Sequence, residues 1–114
     1  MPRPLPPDWY PRRGEIYLVN LDKRRPALVI SADALNRFAL DVCVVPLTSV
    51  EHAQFSVRIP IPAGEGGLAT ASWAKCDQVT TLEKSLLQFP PLGAITRPSL
   101  ARIEVAIKRA LSLP

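Results

Sequence analysis

Thirteen prolines in a chain of 114 residues restrict its fold more than any other feature. A proline inside a helix removes one hydrogen bond and clashes with the preceding turn, at about 3 kcal/mol. An all-helical architecture is therefore excluded, and short strands, turns and brief connections are favoured. Five of the prolines fall in "MPRPLPPDWYPRR", residues 1–13, a stretch without apolar periodicity. It reads as a mobile, extended arm whose backbone cannot join a sheet interior. Trp9 and Tyr10 are expected to anchor that arm on the body rather than to stack on bases. The remainder, residues 14–114, is one domain, long enough to fold without staples.

From Gly14 the pattern is that of strands. "EIYLVNL" sets Ile16 and Leu18 against Tyr17 and Val19, and "PALVIS" is a short β-branched run headed by Pro26. "SADALNRFALD" holds at most one helical turn. "DVCVVPLTS" gives a third strand, expected to stop at Pro46. In "FSVRIPIP", Phe55, Val57, Ile59 and Ile61 share one face, leaving Ser56, Arg58 and Pro60 on the other. "AGEGGLATASWAKCDQVTTLEK" opens with a glycine turn and continues as one long or two short strands, and "PLGAIT" supplies a further short one. Pro98 suits the first turn of a C-terminal helix. Leu100, Ile103, Ile107, Ala110 and Leu111 follow its apolar period, and Glu104 and Lys108 are spaced to pair outside. Short strands with a single terminal helix predict a mainly β fold, a small curved barrel capped by the helix.

The net charge of +4 and a pI near 9.5 point first to a polyanion as partner. Cys43 and Cys76 sit in apolar segments without metal-ligand spacing and read as buried free thiols in a reducing cytosol. No apolar run reaches membrane-spanning length, and the N-terminus lacks the apolar core of a signal peptide, so a cytoplasmic location is expected. His52 is the one histidine, which removes paired-histidine and serine-histidine chemistry. The carboxylates lack the close spacing that would cradle metal ions, and no metal or cofactor is expected.

What remains is cationic and hydroxyl chemistry. "KRRPALVIS" crowds Lys23, Arg24 and Arg25 at the mouth of a buried strand, where neighbouring like charges repel by roughly 1 kcal/mol per pair. An anion would neutralise them. Arginine presents a planar fork that matches two phosphate oxygens and keeps its charge. Thr48 and Ser49, at another strand's end, could hold a further oxygen. If the two strand ends meet, Arg25 and Thr48 could bind a phosphodiester, or stabilise the phosphorane formed when an RNA 2′-hydroxyl attacks it. A solvated turn with a capping threonine is the structural alternative.

In order along the chain, "RRGEIYLVNLD", "RRPALVIS", "VVPLTS", the Gly67-Leu68 turn, "SWAKCDQVTTLEK", Gly93 and the amphipathic C-terminal helix resemble the MazF/PemK family of toxin endoribonucleases, from Arg13 to Leu113. The resemblance implies an SH3-like barrel of the MazF/CcdB type, a homodimer, and metal-independent, sequence-specific cutting of single-stranded RNA to 2′,3′-cyclic phosphate and 5′-hydroxyl ends. It also implies a MazE-like antitoxin whose acidic C-terminal tail blocks the groove. Carried over, Arg25 and Thr48 are the catalytic pair. Lys23, Arg24, Ser49, Ser72, Lys75, Asp77, Gln78 and Lys84 are the implied RNA contacts, with Asp77 and Gln78 matching the family's acidic-Gln pair. Guanidinium stays protonated, so Arg25 is read as a stabiliser of charge and the base is unassigned. The chain departs from the family in three places. The loop before Arg25 is shortened, which opens the groove, and Thr80 and Leu86 stand where many relatives carry arginine. The runner-up is a non-catalytic toxin on the same barrel, either RNA-binding or directed at gyrase like CcdB.

Overall fold

The computed structural model describes residues 5–20, 23–50 and 57–114. The strands are β1 (Glu15–Asn20), β2 (Arg24–Val29), β3 (Asp41–Thr48), β4 (Arg58–Ile61), β5 (Ser72–Lys75), β6 (Thr80–Glu83) and β7 (Leu87–Ala94). Helix α1 (Asp33–Phe38) links β2 to β3, and α2 (Arg97–Ala110) ends the fold. All seven strands belong to one sheet in the order β4-β5-β3-β2-β1-β7, with β6 paired to β3. The expected mainly β fold with a C-terminal helix is what forms. The hydrogen-bonded ladder does not close on itself, so the barrel is open.

Strand β3 runs through Pro46 instead of stopping there. It pairs with β6 over Asp41–Val44 and with β5 at Leu47 and Thr48. Pro46 lies in the gap between those two ladders, where a missing N–H is tolerated. β1 and β2 pair antiparallel with Asn20 opposite Arg24 and Val19 opposite Arg25. Both arginines are therefore strand residues, not a solvated turn. In the segment expected as one alternating strand, β4 covers only Arg58–Ile61; Phe55 and Ser56 lie outside the described residues.

Alternation gives the sheet two apolar faces. One gathers Ile16, Leu28, Val45, Leu47, Ile61 and Ala74, and α2 covers it with Ile103 and Ala106. Each large side chain buried there contributes about 1.5–3 kcal/mol. Small residues let the helix sit close, so its buried seam is Ser99, Ile103 and Ala106, and Leu111, expected on that seam, is 49% exposed. Thr96 caps the helix by accepting from the Ser99 N–H at 3.3 Å. Glu104 is bound by Arg13, at 2.6 Å, rather than by the expected Lys108. The opposite face gathers Tyr17, Val19, Ala27, Val29, Val42, Val44 and Leu87. At one end it is covered by Trp9, which meets Tyr17 and Phe89 edge-on at 6.1 Å each and donates from Nε1 to the Tyr17 hydroxyl at 3.3 Å.

The glycine turn packs directly against β7. Gly67 has a φ of +76°, and a Cβ there would lie 1.9 Å from the Leu92 carbonyl oxygen; one on Gly93 would lie 2.7 Å from the Gly66 carbonyl carbon. Two backbones touch here, which only glycine permits. Cys43 and Cys76 are free thiols, and burial pushes that of Cys76 up to about 12.

Candidate nucleic-acid interface

Where β2 begins and β3 ends, an open cavity of about 520 Å³ is lined by Arg25, Thr48 and Ser49, with Ser72 at its floor and Gly67 and Leu92 forming part of its wall. The local sequence explains the meeting. β2 and β3 are paired with Ala27 opposite Pro46, Leu28 opposite Val45 and Val29 opposite Val44. Carried two residues further, the same register sets Arg25 across from Thr48. Directly opposed side chains stand about 4.5–5.5 Å apart at Cβ, so one phosphate can touch both.

The two groups are prepared differently. Arg25 is exposed and makes no ion pair with any described carboxylate. Thr48 Oγ1 accepts the Val50 N–H at 3.1 Å. That bond occupies a lone pair and leaves the hydroxyl proton free to be donated to an anion. The Ser72 hydroxyl is buried and donates to the Thr70 carbonyl at 3.1 Å, so it supports the cavity floor.

Beyond Thr48 the cationic surface continues onto β5 and β4. Thr48 is opposite Trp73, and Lys75 is opposite Arg58. Arg58 reaches Asp77 at 3.9 Å, and its side chain is only 10% exposed. The proton affinity of Lys75 is lowered, by burial first and then by the charges of Arg58 and Arg25, with Asp77 opposing. Arg25, Lys75, Arg58 and Asp77 thus share one strip. Arg58 was missed by the sequence reading, which treated it as the polar side of a strand. Its local pattern, a cation alternating with the apolar Val57 and Ile59, is that of any half-buried strand and carries no mark of a site.

The other predicted contacts are dispersed. Alternation turns Arg24 to the opposite face from Arg25, and it does not line the cavity. Lys23 is exposed in the β1–β2 hairpin. Gln78 is exposed in the turn after β5, its N–H bonded to the Lys75 carbonyl at 2.9 Å. Lys84 is remote, because β6 runs along the first half of β3. Its ammonium donates to the carbonyls of Asn36 at 2.8 Å and Arg37 at 3.3 Å, closing the end of α1. It serves structure there, not the groove. Among the described residues no three His, Cys, Asp or Glu side chains converge as a metal site, and no helix is long and apolar enough to cross a membrane.

An open, curved antiparallel sheet with a cation and a hydroxyl facing each other at its rim defines a small β-fold module suited to a phosphodiester. Residues 12–111 match the family described as PemK-like, MazF-like toxin of type II toxin-antitoxin system. The chain belongs to this family. It is 30% identical to "Endoribonuclease MazF9" of Mycobacterium tuberculosis, over 90% of this chain and 97% of that protein. It is 33% identical to "Probable endoribonuclease MazF" of Mycolicibacterium smegmatis, over 84% and 92%. A solved mycobacterial endoribonuclease in complex with its cognate antitoxin superposes with a TM-score of 0.78 at 28% identity, covering 92% of this chain and 96% of its own.

Proposed function

We propose that this protein is the toxin of a type II toxin–antitoxin pair and cuts single-stranded RNA in the cytoplasm. Arg25 and Thr48 lining one open cavity is the observation that carries this reading; family membership and relatives named as endoribonucleases support it. The 2′-hydroxyl of the nucleotide before the scissile linkage loses its proton to solvent and attacks phosphorus, the bond to the 5′-oxygen breaks, and that oxygen takes up a proton. The products are a 2′,3′-cyclic phosphate and a 5′-hydroxyl. Arg25 offsets the charge that builds on the non-bridging oxygens, and the Thr48 hydroxyl donates a hydrogen bond to one of them. Both are in place before the reaction, which is what makes such stabilisation effective. Lys75, Arg58 and Lys23 extend the positive surface along the strand, with Ser72 and Asp77 shaping it.

The protein acts as a homodimer, and a MazE-like antitoxin inhibits it by laying an acidic segment over the same cations. The short hairpin before Arg25 leaves the groove open to both. Of the arm that precedes the catalytic domain, 14–114, the described residues 5–13 are seated through Trp9. The test is cleavage of an unstructured transcript in excess EDTA, with the new 5′ ends mapped. Arg25→Ala and Thr48→Ala are each expected to slow cutting by about 10²–10³-fold, as loss of one stabilising donor does, with melting temperature and dimer mass retained. Cutting at the wild-type rate by either variant would remove that residue from the mechanism.

A further inference from the structure

On the face that carries Arg25, one indole stands apart from the apolar interior. Trp73 is half-buried in the middle of β5. Among the described residues it is packed into neither apolar cluster, whereas the protein's other tryptophan, Trp9, is seated in one. Tryptophan is the side chain with most to gain from burial. A strand that leaves one beside the core and short of full exposure is holding a flat apolar surface toward something else.

Register fixes what surrounds it. Trp73 is directly opposite Thr48 on one side and Pro60 on the other. The next residue on its face, Lys75, is opposite Arg58. The indole therefore lies beside the hydroxyl proposed to hold the scissile phosphate, just outside the cavity that Ser72 lines, with a pair of cations one step along the strand. A phosphate on Arg25 and Thr48 brings its adjoining nucleobase over β5, and the following phosphate over Lys75, behind which the buried Arg58 lies. Flat aromatic surface interleaved with cations is the arrangement by which single strands are gripped, each base stacking while its backbone is neutralised.

We propose that Trp73 is the platform on which the nucleobase next to the scissile phosphate stacks, with Lys75 receiving the next phosphate and the buried Arg58 adding its charge from behind. This rests on the RNA-cutting reading for its place in the reaction, yet the contact itself is testable without catalysis. The partner is single-stranded RNA; a protein partner or a second copy of this chain on the same face is the competing outcome.

The probes are overlapping 2′-O-methyl RNA oligonucleotides tiling one unstructured transcript, which bind without being cut. The tightest is carried forward and made abasic one position at a time. Trp73→Ala is expected to weaken binding by tenfold to a hundredfold, the scale of one lost base–aromatic stack, and Trp73→Phe to recover most of it. One abasic position should weaken the wild-type protein equally and cost Trp73→Ala nothing further, a coupling that a purely structural role would not produce. Unchanged affinity in Trp73→Ala, or equal losses on every abasic probe, would overturn the proposal. So would a changed dimer mass for Trp73→Phe without base dependence, which assigns the face to a second copy. A wild-type protein that shows this coupling but never cuts sinks the nuclease reading and leaves the platform standing. Cutting that is indifferent to Trp73 does the reverse.

Discussion

Under α2, the sheet is sealed: Ile16, Leu28, Val45 and Ile61 are fully buried, and Ile103 closes over them. On the opposite face the seal covers one end only, where Trp9 lies on Tyr17. Toward β4 that face gives way to Arg25, Lys75 and Arg58, answered by Asp77. Burial of the Tyr17 phenol, with the Glu15 carboxylate 2.8 Å away accepting from it, raises its proton affinity well beyond the usual range, so the phenol stays protonated and bound to that carboxylate. The contrast separates what folds the chain from what it binds. Apolar area on the α2 face supplies stability, while the cationic end forgoes some of it by holding like charges together until an anion arrives.

The comparison is broken most severely by Gly67→Ala. The added Cβ would meet backbone, not a movable side chain, and a loss of about 3 kcal/mol or more is expected, at the upper end for single substitutions. Urea unfolding measures it, and a wild-type midpoint would show that the two backbones can part. Next is Ile103→Ala, expected to lose about 3 kcal/mol while the remaining folded protein still binds RNA as the wild type does. Trp9→Ala should cost about 2 kcal/mol, less than a fully buried aromatic because Trp9 is only half-buried. It too should leave RNA affinity unchanged, and a drop would connect the sealed end to the groove.

The smallest effect belongs to Glu65, which accepts from the Thr96 N–H at 3.1 Å and the Thr96 hydroxyl at 3.2 Å. Burial alone would raise its proton affinity, but the hydrogen bonds from Ser99 and Thr96 outweigh it and hold the carboxyl below its ordinary 4.5. A carboxyl with a depressed value stabilises the fold above about pH 4.5, and that contribution fades as pH falls through the depressed value. Melting temperatures of wild type and Glu65→Gln should differ modestly at pH 7 and converge in acid. A gap that persists or widens on acidification would reverse the sign.

Much of this contrast was legible in the residues themselves. The alternation in "EIYLVNL" and the β-branched run after Pro26 gave strands and their inward faces, because a sheet with a buried side imposes a period of two. The order of "RRPALVIS" and "VVPLTS" brought Arg25 and Thr48 forward as a pair. The tertiary context hid the rest. Pro46 could be read as a stop because only the assembled sheet shows the gap between two ladders that accommodates it. Lys84 carried the right charge for the groove but lies along the other half of β3. Arg58 and Trp73 were invisible as site residues, since nothing local indicates that β4 and β5 continue the face of β3.

The central claim is that Arg25 and Thr48 act together on one phosphate, and a double-mutant cycle on kcat/KM in EDTA tests it most directly. If they do, Arg25→Ala/Thr48→Ala will lose much less than the product of the two single losses, the behaviour of groups that work as a unit. Strictly multiplicative losses would mean two groups serving separate steps and would contradict it, as would a single variant that cuts normally.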